Sequence, residues 1–449
     1  MAYSRWTTSD ELKNLLSPIS YDSDIKKSGI PMMYDEKHLY IKDGVDNTLV
    51  IGSTGSGKTQ TLLLPQLRLA IKANESFIVH DVKGEIYNNL SGELKKRNYN
   101  TIVINLDDPN TGNSFNPLTL PYKLYTNNKK DDALELLENI GYYLCCDESY
   151  NNNVDPFWTN SAVSLFVGLA LYLFDNADIE EINLNSILNL TSDFDKISEI
   201  MKNYDKTSMT YIYLSNIVLA PPETKGSILA VFIQNIKLFV SKEALPKMLS
   251  ITDFDIYDIK NKNTAVFIIS NNKLSSKKLI PLIIDEFYFA AASLNDKNNR
   301  LNILIDDFEN LVPIKNFSNM LSLSRSHNIN FNIYIRSLLE LKNVYGKEEA
   351  EILKMVFSNI IYLLANDFET LEEISKLCGN INTDNGLEAL ISTDELKTLQ
   401  YFEAIILIPR YHPIRTKLIP DYKIDWKFSD EKVGLNKNNN IIKIYNINK

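Results

Sequence analysis

Eight residues, Gly52-Ser53-Thr54-Gly55-Ser56-Gly57-Lys58-Thr59, constrain what this chain can fold into more than any other stretch. They fit G-x-x-x-x-G-K-[ST], a loop that cradles phosphate groups when a strand enters it and a helix leaves it. Both neighbours have the required pattern. Thr48 to Ile51 reads as a short buried strand, and Gln60 to Ala73 carries apolar residues at helical spacing. Gly52, Gly55 and Gly57 let the backbone turn tightly and bring its N–H groups against an anion, while the new helix aims its positive end at the same point. In such a loop Lys58 reaches the outer phosphates of a nucleoside triphosphate and the Thr59 hydroxyl holds Mg2+.

A loop of this kind needs a sheet behind it, and the chain supplies one. Ser76 to His80 is an apolar strand ending at Asp81, and Asn100 to Leu106 is another. The pattern resumes with Thr264 to Ser270, Leu301 to Ile305, Ile329 to Ile335, Ile360 to Leu364 and Ala404 to Leu407. Strands alternating with helices predict an α/β fold with a predominantly parallel sheet. From about 122 to 225 the strand signal vanishes, and Asp131 to Leu144, Asn160 to Phe174, Ile187 to Leu190 and Ile197 to Tyr204 read as helices. The expected plan is a lead-in over 1–47, a nucleotide-binding domain over 48–121 and 226–430, an inserted all-α domain over 122–225, and a flexible tail over 431–449.

Composition narrows the function classes. At 449 residues the chain is long enough for two or three domains. A net charge of −10 argues against a general polyanion-binding surface, though not against a local basic site. Three cysteines give no disulfide framework and suit a reducing cytosol, and four scattered histidines show no metal-ligand spacing. The most apolar run, Ala162 to Phe174, is shorter than the ~20 residues that span a bilayer, so a core helix in a soluble chain is expected.

Hydrolysis at a phosphate loop needs acid on a second strand end, to hold Mg2+ and to polarise the attacking water. Two acidic pairs compete. Asp285-Glu286 lies inside an apolar run from Leu279 through Ala292 whose spacing is helical, which makes the pair polar points on a helix. Asp306-Asp307 ends the mostly apolar five-residue run Leu301 to Ile305 abruptly, as a central strand reaching a ligand crevice does, and is the preferred pair.

Several further blocks carry a resemblance. They are Ser4-Arg5-Trp6-Thr7-Thr8, the phosphate loop, Asp81-Val82-Lys83-Gly84-Glu85, Phe115-Asn116-Pro117-Leu118, Asp155-Pro156-Phe157-Trp158, Thr224-Lys225-Gly226-Ser227-Ile228, Thr264-Ala265-Val266-Phe267, and Ile305 to Leu341. In this order the chain resembles the coupling-protein ATPases of type IV secretion systems, the TraG/TraD-like proteins of conjugation, and their Gram-positive branch in particular. The resemblance implies a RecA-like P-loop NTPase domain carrying an all-α domain, with ATP and Mg2+ as cofactors. It implies a hexamer when assembled, and a monomer is expected for the isolated chain. Its partners would be DNA, a relaxase or an effector protein, and the membrane subunits of the secretion channel. It places the chain in the cytoplasm at the inner face of the cell membrane, held by a partner or by an N-terminal anchor missing from this sequence.

Carried over position by position, the resemblance makes Lys58 and Thr59 the phosphate and metal contacts and Asp306 the acid on the Mg2+ side. Arg325 matches an arginine presented to a neighbouring subunit's nucleotide, where it would stabilise transition-state charge. There are three departures. Asp307 stands where the family has glutamate, one methylene longer, and Glu309 replaces it only if the strand ends irregularly. Arg336 stands where the family has a glutamine that senses the γ-phosphate, and Val82 replaces a usual proline. An arginine binds phosphate oxygens but cannot accept a proton as an amide oxygen can.

The expected function is a coupling ATPase that recruits DNA–relaxase or protein substrates to the channel, with Asp307 positioning water and Arg325 acting in trans. The alternatives are a nucleotide-binding receptor with poor hydrolysis and an FtsK-like DNA translocase. Outside the site, Phe157 and Trp158 are expected to pack in the core, Lys225 to sit at a solvated helix start, and Asp81 to cap a helix or touch nucleotide.

Overall fold

The computed structural model describes residues 4–21, 23–35, 37–146, 155–270, 273–294, 299–384 and 386–447. The chain divides into two compact units. The first is Met1–Thr101, Tyr257–Phe267 and Ala291–Val433; the second is Ile102–Ile256, Ile268–Ala290 and Gly434–Lys449.

The first unit opens with the helix Ser9–Leu15, closed by a reciprocal capping box in which Thr8 and Glu11 satisfy each other's backbone N–H groups. Three short strands follow, β1 (Ser17–Ser20), β2 (Ile30–Tyr34) and β3 (His38–Lys42), in an antiparallel sheet of order β1-β3-β2. The main sheet then begins with β4 (Thr48–Gly52) and β5 (Ser76–Asp81). After β6 (Asn100–Asn105), where the chain passes into the second unit, come β7 (Thr264–Ile269), β8 (Leu301–Ile305), β9 (Ile329–Ile335) and β10 (Asn359–Leu364). The small hairpin β11 (Asn380–Thr383) and β12 (Gly386–Ala389) stands apart. The sheet is completed by β13 (Glu403–Leu407) and β14 (Ile414–Lys417), giving the order β14-β13-β10-β4-β9-β8-β5-β7 in this unit.

From β10 through β4, β9 and β8 to β5 every pairing is parallel, whereas β13 and β14 join antiparallel at the edge. Every residue of β4, β5, β8 and β9 is buried, as expected of central parallel strands covered on both faces. Two of the polar residues within them are joined to a neighbouring carboxylate: Asn330 Nδ2 donates to Asn302 Oδ1 at 3.1 Å, and Asn302 Nδ2 to Glu75 Oε2 at 2.9 Å. The parallel register brings Gly52, Asp81, Ile305, Ile335 and Leu364 to one edge, the place where open α/β sheets bind ligands.

Among the described residues the regular structure of the second unit is helical apart from strand residues at its borders. Its long helices are Lys130–Cys145, Pro156–Asn176 and Pro222–Val240, with most of Leu274–Ser293. Side-chain caps set several starts: Asp155 accepts from Phe157 N–H, Asn183 from Ser186 N–H and Ser208 from Tyr211 N–H. Close approach also needs glycine. A Cβ on Gly168 would come within 2.6 Å of the Leu214 side chain, so the Pro156–Asn176 and Met209–Val218 helices touch at a position that admits no side chain.

Four expectations change. The apolar run of 162–174 belongs to a 21-residue helix, long and apolar enough to cross a membrane by length and composition, with 61% of its most apolar window buried. Proline at the first helical position and the Asp155 cap extend it beyond the apolar stretch. Helices Thr119–Thr126 and Met209–Val218 were not anticipated; the second is apolar on nearly all sides, which hides its period. The tail expected to be flexible lies along the second unit, where Asn183 and Asn189 donate to the Lys443 and Tyr445 carbonyls and Tyr445 N–H donates to Ser186. Phe157 is 48% exposed and stacks edge-on against a half-buried Trp158 at 5.1 Å instead of entering the core.

Candidate nucleotide site

The carboxyl edge of the parallel strands holds a cleft of about 580 Å³. The phosphate loop forms its floor. Ser53 N–H donates to the Leu364 carbonyl at 2.8 Å, tying the loop to the end of β10, and Ser56 N–H donates to the Ser53 carbonyl at 3.0 Å. Gly55 and Gly57 have φ of +80° and +95°, a region that disfavours any residue with a Cβ. A Cβ at Gly55 would meet nothing, because it would point into the open cradle. At Gly57 it would lie 3.3 Å from the Phe402 ring. The helix that follows begins with one wide turn, Thr59–Leu63, in which Leu64 N–H bonds to the Thr59 carbonyl, and continues as Leu64–Lys72.

The loop suits a polyphosphate. Ser56 Oγ is buried with no hydrogen-bond partner among the described residues, and the Lys58 ammonium, itself buried, donates to the Gly52 carbonyl. Thr59 is half-buried and lines the cleft.

Acid enters from β8. Asp306 follows the last strand residue, and His80 Nδ1 lies 2.7 Å from its carbonyl oxygen, so the Nδ1–H donates there. Asp307 takes φ +49°, a left-handed conformation that aspartate tolerates better than most residues, and its N–H donates to Asp306 Oδ1 at 3.0 Å. Burial, helped by the neighbouring Asp307, pushes the Asp306 carboxyl up to about 6, against the opposing pull of Lys58. The left-handed residue ends the strand irregularly and leads into a tight turn, Phe308–Asn310, that buries Glu309. Burial pushes Glu309 up to about 8.

Arg336, just past the end of β9, connects these acids. Its guanidinium lies 3.3 Å from Asp307 Oδ2 and 3.2 Å from Glu309 Oε1. The second contact is an ion pair without hydrogen-bond alignment, since neither Glu309 oxygen has a hydrogen-bond partner among the described residues. β9 lies between β4 and β8, so Arg336 enters the cleft between phosphate loop and acid.

Asp81 is 1% exposed and accepts from Tyr87 N–H at 2.8 Å in the first turn of the helix Glu85–Lys96, whose N-cap position is Gly84; burial raises the Asp81 pKa. Lys83 lines the cleft. Lys225 is half-buried, with its ammonium 6.0 Å from the centre of the Phe194 ring. Asp285 and Glu286 are buried on the helix Leu274–Ser293. Arg325 is exposed and does not line this cleft. It precedes β9, whose far end carries Arg336, so about 23 Å of strand separates the two. Ser324 beside it is pinned to Asn47, whose Oδ1 also accepts from Phe331 N–H at 3.0 Å.

Sequence reasoning missed the rim. Tyr401, Phe402 and Tyr422 line the cleft from the end of the chain, and Phe402 adopts φ +67° against the phosphate loop. No spacing links them to the loop, and only folding brings them there.

Whole-chain likeness agrees with this arrangement. The family described as type IV secretory system conjugative DNA transfer matches residues 5–386. No curated protein matches. The structure of the plasmid coupling protein TrwB with the ATP analogue ADPNP superposes with a TM-score of 0.72 at 15% identity, over 96% of each chain. TrwB with ADP and Mg2+ gives 0.71 at 16% identity, again over 96% of each. VirB4 of Thermoanaerobacter pseudethanolicus gives 0.54 at 12% identity, over 89% of this chain and 98% of that one. At such identities the superpositions speak to the fold, a mostly parallel sheet around a phosphate loop joined to a helical region. With the profile match running through loop, acidic strand end and helices alike, the chain belongs to the type IV secretory system conjugative DNA transfer family.

Proposed function

We propose that the chain is the coupling ATPase of a type IV secretion channel, binding Mg-ATP in the cleft and using hydrolysis to pass DNA–relaxase or protein substrates into transfer. One observation carries this reading: a phosphate loop, a buried carboxylate and an arginine converge on one cleft from the adjacent strands β4, β8 and β9. TrwB, of like fold, is described in complex with an ATP analogue and with ADP and Mg2+, which supports the same ligands here.

The loop N–H groups and Lys58 would hold the phosphates, with Ser56 Oγ available as a further partner. Thr59 and Asp306 would hold Mg2+, which when bound polarises the outer phosphoryl oxygens. Asp306 serves only when ionised, and its raised pKa reflects a carboxylate set too deep for water to solvate. Asp307 orients the attacking water and accepts its proton. Arg336 moves its charge from the two carboxylates toward the phosphate end of the cleft, where Lys58 already stands. Arg325 lies too far from its own cleft, which supports its acting on a neighbouring subunit in a hexamer. The motor is assigned to 48–121 and 226–430 and substrate engagement to the helical insertion 122–225. Attachment to the membrane face is assigned to a partner or anchor.

Steady-state phosphate release with Mg-ATP tests the reading, with Lys58→Ala as blank. Turnover abolished by Lys58→Ala supports the motor. The Arg336 contacts with Asp307 and Glu309 favour a second reading, a nucleotide receptor with little hydrolysis. Tight ATP binding without turnover in the assembled protein would establish it.

A further inference from the structure

A second cleft, of about 520 Å³, lies wholly within the second unit. Phe115 and Asn116 form part of its wall, from a block of the family resemblance that nucleotide chemistry does not use. Asn116 is 4% exposed and braces the site. Its Nδ2 donates to the Ile182 carbonyl at 2.7 Å and the Ser250 carbonyl at 3.0 Å, and its N–H donates to Thr252 Oγ1 at 2.9 Å. The loops on either side are thus fixed to one another. Leu120, Phe254 and Ile256 add apolar surface, with Phe254 stacked on Phe287 at 5.9 Å.

The cleft also exposes a chemical mismatch. Glu286 lines it while being only 2% exposed, and its Oε1 is buried with no hydrogen-bond partner among the described residues. Burial first, and then the charge of Asp285, push its pKa well above the usual carboxylate range. A buried carboxyl left unpaired costs folding free energy, so the helix keeps it against its own stability. Two more acids stand at the cleft. Asp253 is engaged by Asn113 Nδ2 at 3.0 Å and Ser114 N–H at 3.2 Å, and Asp255, half-exposed, faces Lys123 at 3.7 Å. Among the described residues no cluster of acids, histidines and cysteines has the geometry to hold a metal. An organic cation would supply the absent hydrogen bond and favour the ionised form of Glu286.

The geometry points to a recognition pocket for an arginine or lysine side chain of a polypeptide partner, its stem against Leu120 and Phe254 and its charged head at Glu286. Three acidic side chains against one lysine give the charge complementarity, a cation at Glu286 favouring its ionised form, and the apolar walls suit an alkyl stem that buries while its head finds a counter-ion. A polypeptide fits better than a small amine because a further apolar depression of about 200 Å³ adjoins, sharing Asn116, Thr119 and Thr252 and lined by Tyr122 and Ile179. That surface accommodates residues flanking the cation. This assignment is independent of nucleotide binding.

Methyl-detected NMR titration of the full chain with the peptide acetyl-Leu-Arg-Leu-amide tests it. Saturating shifts are expected at the Leu120 and Ile256 methyls at millimolar peptide, with affinity falling about tenfold or more when citrulline replaces arginine or in Glu286→Gln. Should Glu286→Gln fail to fold, Asp255→Lys at the exposed rim is expected to weaken binding about fivefold. Equal affinity for the arginine and citrulline peptides, or no shift at either methyl, overturns the pocket. Agmatine binding as tightly as the peptide overturns the polypeptide occupant.

Discussion

The two acidic pairs of this chain have opposite surroundings. Asp306-Asp307 leaves the end of a parallel strand through a left-handed residue, faces a phosphate loop, and has Lys58 and Arg336 beside it. Asp285-Glu286 sits on the continuous helix Leu274–Ser293, and one Glu286 oxygen has no hydrogen-bond partner among the described residues. Burial raises the pKa of Asp306 and of Glu286 alike. What separates the pairs is a route to a phosphate loop. Backbone context, more than residue type, decides which acids reach the crevice at the strand ends.

The contrast breaks most visibly at Lys58. Lys58→Ala is expected to lower ATP turnover by about a thousandfold in a phosphate-release assay, because it removes the charge that stabilises the transferring group. Loss of less than tenfold would mean the cleft is not where hydrolysis occurs. Next, Asp306→Asn should cost about a hundredfold while Asp285→Asn stays within twofold. Equal losses would erase the distinction between strand-end and helical acid. Asp307→Glu sharpens the picture in the other direction. Lengthening the side chain brings the carboxylate closer to the water position, and up to about a tenfold gain is expected. A loss would shift the base role toward Glu309.

The smallest effect concerns stability without nucleotide or Mg2+. Asp306 and Glu309 titrate near about 6 and about 8 in the fold, above ordinary values of 3.8 and 4.5. The folded chain therefore keeps protons that the unfolded chain releases. Their stabilising contribution is complete below the ordinary carboxylate range and is lost as pH rises through about 6 and then about 8. Urea midpoints should fall across that range, and Glu309→Gln should flatten the upper part by about 1 kcal/mol or more. An unchanged slope in that variant would show that Arg336 already holds Glu309 ionised.

Much of this was legible in the chain. The phosphate loop and the strands carrying it are local signals, and the choice of Asp306-Asp307 over Asp285-Glu286 followed from spacing alone, strand-end acid against helical acid. Glu309 was legible only as a condition, an irregular strand end, and the φ of Asp307 meets that condition. What escaped was non-local. Tyr401 and Phe402 reach the loop across more than 300 residues of intervening chain, and Phe157 looked like core because apolarity alone does not say which neighbours arrive. Met209–Val218 escaped for another reason, since a helix apolar on most sides has no stripe to betray its period.

The bond from the Lys58 ammonium to the Gly52 carbonyl makes nucleotide capture a swap of partners. The lysine's charge is met here by its own main chain. An incoming triphosphate must outbid that carbonyl before it gains anything, and a weak anion such as inorganic phosphate gains little by the trade. A loop built this way favours charge density, since a ligand that offers several phosphates at once competes best for the lysine.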